Sequence, residues 1–371
     1  MTQSTVVRYA LPALLCAGLV AVAIQSRPLA QQNPARAASD ANQFNDSHFH
    51  LTNYIQEGTD VRTYVDIMAN RVKRSTLFGI PLQQTWDYGN TGDFAPTYYL
   101  QTDAPLYYYS FTDAFIAMAY RSLTPAQQAR LDPMITGFNP TDMYAADHIR
   151  RVLTTFPGVF SGIGEFTVHK EFVSPKVAGG TASLTDKALD RIMEFAGEVG
   201  LVVIFHNDID MPFPRPNQEP YQLAQLKALF TRHPKTSIIW AHAGTGRIVR
   251  PVKDQLTLLD TALSSPDLKH VNIDISWDEV AKYVVDTPES TKATADLINK
   301  HPDRFLFGSD VVAPADAQAQ IKVFDMYAPL WKLLTPEASQ KVRIGNYERL
   351  FDEGRRKVRA WEAANVKSAR R

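Results

Sequence analysis

The sequence predicts an α/β fold, a closed (β/α)8 TIM barrel, on two observations. Eight short apolar runs, most of them about 25–45 residues apart, alternate with stretches of helical periodicity. The first run is not followed by the glycine-rich phosphate fingerprint that a doubly wound open sheet, the other arrangement of alternating elements, would favour. The candidate strands are Phe44–His50, Thr76–Leu82, Pro133–Phe138, Val159–Phe166, Leu201–His206, Ser237–His242, Val271–Ser276 and Phe305–Gly308. Helical periodicity covers Asp60–Arg74, Thr141–Phe156, Thr185–Val199, Tyr221–Arg232, Lys253–Leu263 and Pro288–Lys300. One barrel domain over 44–352 accommodates all of them, and 353–371 remains as a basic C-terminal helix or tail whose default reading is a solvated terminal helix.

The second gap is longer than the others. Residues 85–111 form an insertion rich in aromatics: Trp86, Tyr88, Phe94, Tyr98, Tyr99, Tyr107, Tyr108, Tyr109 and Phe111. Following a strand, it is expected on the C-terminal face of the barrel, either walling a substrate pocket or packing on itself or on a second subunit.

Before the barrel lies Tyr9–Ile24, an uncharged run preceded by Arg8 and followed by polar sequence. It is shorter than the roughly 20 residues that span a bilayer, so residues 1–37 read as an export signal. Ala35-Arg36-Ala37 is a candidate cleavage site, and an uncleaved anchor through residues 9–24 is the alternative. The expected location is periplasmic or secreted, with the membrane touched only through this segment. The whole chain balances 39 basic against 39 acidic residues; losing Arg8, Arg27 and Arg36 leaves a mildly acidic mature protein. That charge excludes a nucleic-acid footprint. The single cysteine, Cys16, falls within the apolar run, which rules out disulfides and thiolate metal sites in the remainder. Any metal must be held by nitrogen and oxygen.

Such ligands gather at strand ends. His48 and His50 close the first candidate strand with shared parity, Phe49 between them facing the other way. Glu165 ends the fourth, His206 the fifth, His242 the sixth and Asp310 the eighth. These ends lie on the catalytic face of a barrel. His233, His270 and His301 precede strands, on the opposite face, and His148 lies within a helix. His169, Lys170, Asp208, Arg247, Ser276 and Trp277 follow strands and are expected near the rim, where an arginine suits a carboxylate.

The ordered pieces DSHFH (46–50), GFNP (137–140), GIGE (162–165), HND (206–208), HAG (242–244), FGSD (307–310) and IGNYERLF (344–351) resemble the metal-dependent amidohydrolase superfamily, in its amidohydrolase-2 branch. The resemblance implies that His48, His50, His206 and Asp310 bind a divalent metal, zinc above all, as one ion or two. His242 would ligate a second ion or polarise the scissile carbonyl. Glu165 stands where that superfamily often has a carbamylated lysine and looks like the bridging glutamate of TatD-type relatives, or else it orients a histidine. The implied activity is hydrolysis of an amide, lactone or ester of a small organic substrate. In that activity a metal lowers the pKa of its bound water and so supplies the nucleophile, Asp310 accepts the proton and His242 stabilises the oxyanion. Non-oxidative decarboxylation of an aromatic or unsaturated acid is the alternative. A homo-oligomer is compatible with the sequence.

Overall fold

The computed structural model describes residues 42–53, 57–80, 84–86, 110–175, 182–214 and 217–366. Residues 1–37, read above as an export signal, the part of the insertion from 87 to 109 and the last five residues lie outside the described residues. Eight parallel strands follow one another around the sheet in chain order: β1 (Phe44–Asp46), β2 (Val72–Leu77), β3 (Leu131–Ile135), β4 (Gly162–Thr167), β5 (Val202–His206), β6 (Ser237–Trp240), β7 (Val271–Asp274) and β8 (Phe305–Leu306). The two ends of this series meet. The Ser47 N–H donates to the Phe307 carbonyl at 3.1 Å and the Asp310 N–H to the His48 carbonyl at 2.8 Å. Just beyond, Phe49–His50 pairs in parallel with Val311–Val312. Gly308 permits this approach, since a Cβ there would lie 2.7 Å from the His48 Cβ and 2.9 Å from its nitrogen. The expected TIM-barrel class is the observed one.

The strands read as near-continuous apolar runs because both faces are covered. Side chains divide by parity. Val202 and Ile204 of β5 join Phe78, Met134, Ile239 and Leu306 in an inner cluster, while Val203 and Phe205 pack outward in the larger cluster under the helices. The bottom of the inner cluster is closed by Tyr347, Leu350 and Phe351 from the helix Asn346–Asn365. Tyr347 donates to Asp132 at 2.8 Å, and Arg355 and Arg74 reach the same buried carboxylate at 2.6 and 2.8 Å. The expectation of a solvated terminal helix therefore holds only for its outer face, because Gly354, Val358 and Glu362 are buried.

Several boundaries differ from expectation. The helix expected over Asp60–Arg74 ends at Met68, and β2 already begins at Val72 rather than Thr76. Asp60 caps that helix by accepting from the Arg62 and Thr63 N–H groups. A helix at Ser110–Arg121, unanticipated, follows the insertion, and Gln84–Trp86 pairs antiparallel with Val173–Pro175 above the barrel. The sixth strand ends at Trp240 instead of His242, and a 3-10 turn takes over at Ala241–Gly244.

Candidate metal centre

Two local irregularities aim the site. Along β4, Ile163 pairs with Val203 but Phe166 with Phe205, so β4 carries one residue more than β5 over the same span. This bulge restores Phe166 to the outer face, where it packs on Phe138 and Phe205, and turns Glu165 inward. Without it, Glu165 would share the outward parity of Ile163. At the end of β6, simple alternation would likewise send His242 outward with Trp240. Instead His242 and Ala243 adopt φ values of 56° and 53°, and the left-handed turn swings the imidazole into the barrel. Asp310 has a φ of 52° as well. Such conformations cost of order 1–3 kcal/mol each and gather where function needs them.

The six predicted residues converge. His48 and His50, with ring centroids 5.3 Å apart, face the lumen, while Phe49 stacks outward on Tyr64. His50 Nε2 lies 3.2 Å from Asp310 Oδ1 and 3.5 Å from Glu165 Oε2; His48 Nε2 is 3.4 and 3.7 Å from the same two atoms. The other Glu165 oxygen makes a short contact with His206 Nδ1 and lies 3.5 Å from His242 Nε2. Among the described residues three groups have their ligand atoms within 4.8 Å of one another: His48–His50–Glu165–Asp310, Glu165–His206–His242 and His48–His242–Asp274. Glu165 belongs to the first two.

Asp274, at the end of β7, was not anticipated and organises the floor. It is fully buried, its Oδ2 lies 2.9 Å from His48 Nδ1, and its Oδ1 accepts the His242 N–H at 2.8 Å. Its signal in the sequence was a carboxylate within an apolar strand, a position that acids occupy only when paired. Ser276, expected at the substrate rim, belongs to this network instead: its hydroxyl donates to Asp274 Oδ1 and lies 2.8 Å from His242 Nδ1. An ionised Asp274 accepts only. The Ser276 proton therefore points at Asp274, His242 carries its proton on Nδ1, and its Nε2 lone pair faces the lumen. Asp208, also expected at the rim, is buried beneath His206, with Oδ1 3.2 Å from Nε2.

Electrostatics follow from this crowding. Burial disfavours a charged His48, but the Asp310 and Asp274 carboxylates override it and raise the imidazole well above its ordinary value. Burial lowers His242 and prevails there. Glu165 is held well below the usual carboxylate range because Lys170, 3.6 Å away, and His206 outweigh its burial. Asp274 and Asp310 are also lowered against burial, chiefly by His48 and His242. His206 is raised, with Glu165 and Asp208 overcoming burial and Lys170. The buried His48 Nε2 and His242 Nε2 have no hydrogen-bond partner among the described residues. Two inward Nε2 atoms, partners on the other ring nitrogens and ionised carboxylates form the donor set that suits a zinc-like divalent ion, with His48 giving up its extra proton to ligate.

The remaining histidines sort by position. His233 pairs with Asp190 at 2.7 Å, His301 with Asp260 at 2.7 Å, and His270 Nε2 lies 2.9 Å from the Phe230 carbonyl, all below the barrel. His148, on the helix Ala145–Thr155, faces Asp113 at 3.4 Å. His169 is buried and its backbone pairs with Asn207 and Asp208, outside the ligand groups. At the rim, Trp277 lies 5.1 Å from the His242 ring, with Lys170 Nζ 5.5 Å and the Arg247 guanidinium 5.4 Å from its centroid.

Barrel and cluster together define a class: a (β/α)8 enzyme with a histidine–carboxylate centre on the C-terminal face of its strands. More narrowly, the chain belongs to the amidohydrolase family, whose profile, described as "Amidohydrolase", matches residues 46–352. It is thus an enzyme acting on small molecules. No curated protein matches its sequence. Among solved structures it is similar to an amidohydrolase from Burkholderia multivorans with bound zinc, at 14% identity, covering 84% of this chain and 99% of that one with a TM-score of 0.50. A putative 2-pyrone-4,6-dicarboxylic acid hydrolase from Pseudomonas putida shares 13% identity over 84% of this chain and 98% of its own, TM-score 0.48. A 5-carboxyvanillate decarboxylase from Sphingomonas paucimobilis shares 17% over 78% and 82%, TM-score 0.46. At 14% identity the likeness to the zinc-bound structure extends to the fold and no further.

Proposed function

We propose that the protein is a metal-dependent hydrolase that opens an amide, lactone or ester bond of a small organic substrate. The observation that carries this reading is Glu165, shared between the His48–His50–Asp310 and His206–His242 groups, with unpartnered Nε2 atoms on both sides. His48, His50 and Asp310 would hold one divalent ion, His206 and His242 a second, and Glu165 would bridge them. When bound, such an ion supplies Lewis acidity and brings the pKa of coordinated water to about 7. Asp310, ionised and on the lumen side, accepts the proton of the attacking water and returns it to the leaving group. His242 presents Nε2 as a ligand atom, since its proton is held by Ser276. Lys170, beside Glu165, offsets the negative charge of the carboxylates.

Non-oxidative decarboxylation is the second reading. The two cations around Trp277, which offer a place for a substrate carboxylate, support it. The reconstituted enzyme assayed on lactones, esters, amides and aromatic acids separates the two: product without CO2 supports hydrolysis, and CO2 release overturns it. Metal analysis tests the centre. We expect a stoichiometry near two that falls to one in Glu165→Ala, and zero metal regardless of His48 and His50 would refute the assignment. We further propose that residues 1–37 direct export. An N-terminus beginning after the apolar run on protein recovered from outside the cytoplasm would support this, and an intact one on soluble cytoplasmic protein would overturn it.

A further inference from the structure

A cavity of about 270 Å³ lies outside the barrel wall, between the strands and the helices Gln255–Ser264, Asp278–Val284 and Pro288–Lys300. Its floor is apolar and buried, formed by Leu259, Ile275, Val280, Leu297 and Phe305, and its rim includes the exposed Pro251, Lys253 and Asp254. Packed interiors seldom hold voids much larger than a water, and a cavity of roughly 150 Å³ with an apolar lining binds benzene. This space exceeds that size and has an open side for entry.

The chemistry of an occupant follows from the lining. Gln255 is engaged at both ends: its Nε2 donates to the Ala243 carbonyl at 2.7 Å and its Oε1 accepts the Val252 N–H. The Thr245 hydroxyl donates to the His242 carbonyl at 2.8 Å, the Tyr283 hydroxyl to the Gly246 carbonyl at 2.9 Å, and the Ser290 hydroxyl to the carbonyls of Val284 and Thr287. Thr294 adds one further hydroxyl and Lys253 and Asp254 stand at the rim, so a charged ligand seated on the apolar floor would still lose most of its hydration without replacement. An uncharged, ring-sized molecule would lose little.

We propose that this cavity is a binding site for a small, uncharged aromatic molecule of one or two rings. Its wall is the reverse side of the left-handed turn that carries His242, because Gln255 and Thr245 hold that turn from within the cavity. An occupant therefore braces the turn from behind. The site is independent of the metal reading.

The test uses the full chain with benzene and indole as probes and benzoate as the charged control. We expect saturable one-to-one binding of benzene or indole by calorimetry, a thermal midpoint raised by roughly 2–4 °C near saturation, and no effect of benzoate at the same concentration. Val284→Phe and Thr294→Leu, which fill the cavity from two helices, should each reduce probe affinity at least tenfold. Binding should persist in the His48→Asn/His50→Asn variant, which separates this site from the barrel lumen. Absence of saturable binding to the wild-type chain overturns the proposal. So does binding that the filled variants leave unchanged, or that disappears in the histidine variant.

Discussion

Replacing Asp274 with Asn tests how the floor of the site sets the ligand atoms. The side chain keeps its size and one acceptor. Oδ1 receives the His242 N–H (2.8 Å), the Ser276 N–H (3.2 Å) and the Ser276 hydroxyl, whereas Oδ2 faces His48 Nδ1 alone (2.9 Å). The asparagine oxygen will therefore stay on the three-donor side, and its NH2 will turn to His48. Two donors cannot face each other, so neutral His48 must carry its proton on Nε2, with the Nδ1 lone pair toward the amide. Nε2 is the atom that points at Glu165 and Asp310. Loss of such an orienting partner weakens metal binding by about 10–100-fold, or roughly 1.4–2.7 kcal/mol at about 1.4 kcal/mol per decade. The metal-free protein also loses a charge pair buried at 0% exposure on both sides. Because three of the four hydrogen bonds survive, about 1–3 kcal/mol is expected rather than the larger cost of an emptied site. Competition with a chromogenic chelator reads the first quantity and urea unfolding of metal-free protein the second. Affinity within twofold of wild type, with stability reduced, would refute the orienting role and leave Asp274 a purely structural residue.

Other outcomes follow from the same geometry. In the metal-free protein the raised His48 stabilises the fold fully below its ordinary value near 6.5, and that contribution fades as pH climbs through the elevated native value. The depressed Glu165, Asp274 and Asp310 contribute above about pH 4 and lose their effect as pH falls through their native values. Urea midpoints should therefore form a plateau between these windows, and a monotonic fall from pH 5 to 7 would contradict the assignment. Because His48 and His206 are both raised and so favour a proton before metal enters, binding near neutrality should release protons; calorimetry in buffers of different ionisation enthalpy that finds none would argue against it. Gly308→Ala drives a methyl to 2.7 Å from the His48 Cβ, and should lower stability by about 1–3 kcal/mol while displacing the first strand's end. Phe351→Ala, fully buried under the barrel, should cost about 3–5 kcal/mol by chemical denaturation without altering metal stoichiometry. His233→Ala should likewise leave metal content unchanged, and a lost equivalent would mean that the lower face contributes a ligand.

Much of this architecture was legible in residue order. A parallel barrel buries each strand on both sides, so LVVIFH and its counterparts stand out as short apolar runs, and a histidine or acid at the end of such a run lies on the catalytic face whatever the exact boundary. Boundaries were less legible. Val72–Arg74 carries charge and extends the preceding helical pattern, so only pairing with β1 and β3 shows it to be strand. The terminal helix looks solvated because its bases outnumber its acids, yet Gly354 and Val358 press against the barrel floor.

Residue identity alone therefore determined the chemistry offered: a thiol-free set of imidazoles and carboxylates, ordered along a barrel so that its members meet at one face. It did not determine which way each side chain points. Strand parity would send Glu165 and His242 away from the lumen. The extra residue in β4 and the left-handed turn after β6 reverse them, and both depend on register with neighbouring strands distant in the chain. Nor could order alone reveal that Asp274 and Ser276 dictate the proton on His242. That follows from hydrogen bonds between strand ends which only the closed barrel brings within 3 Å.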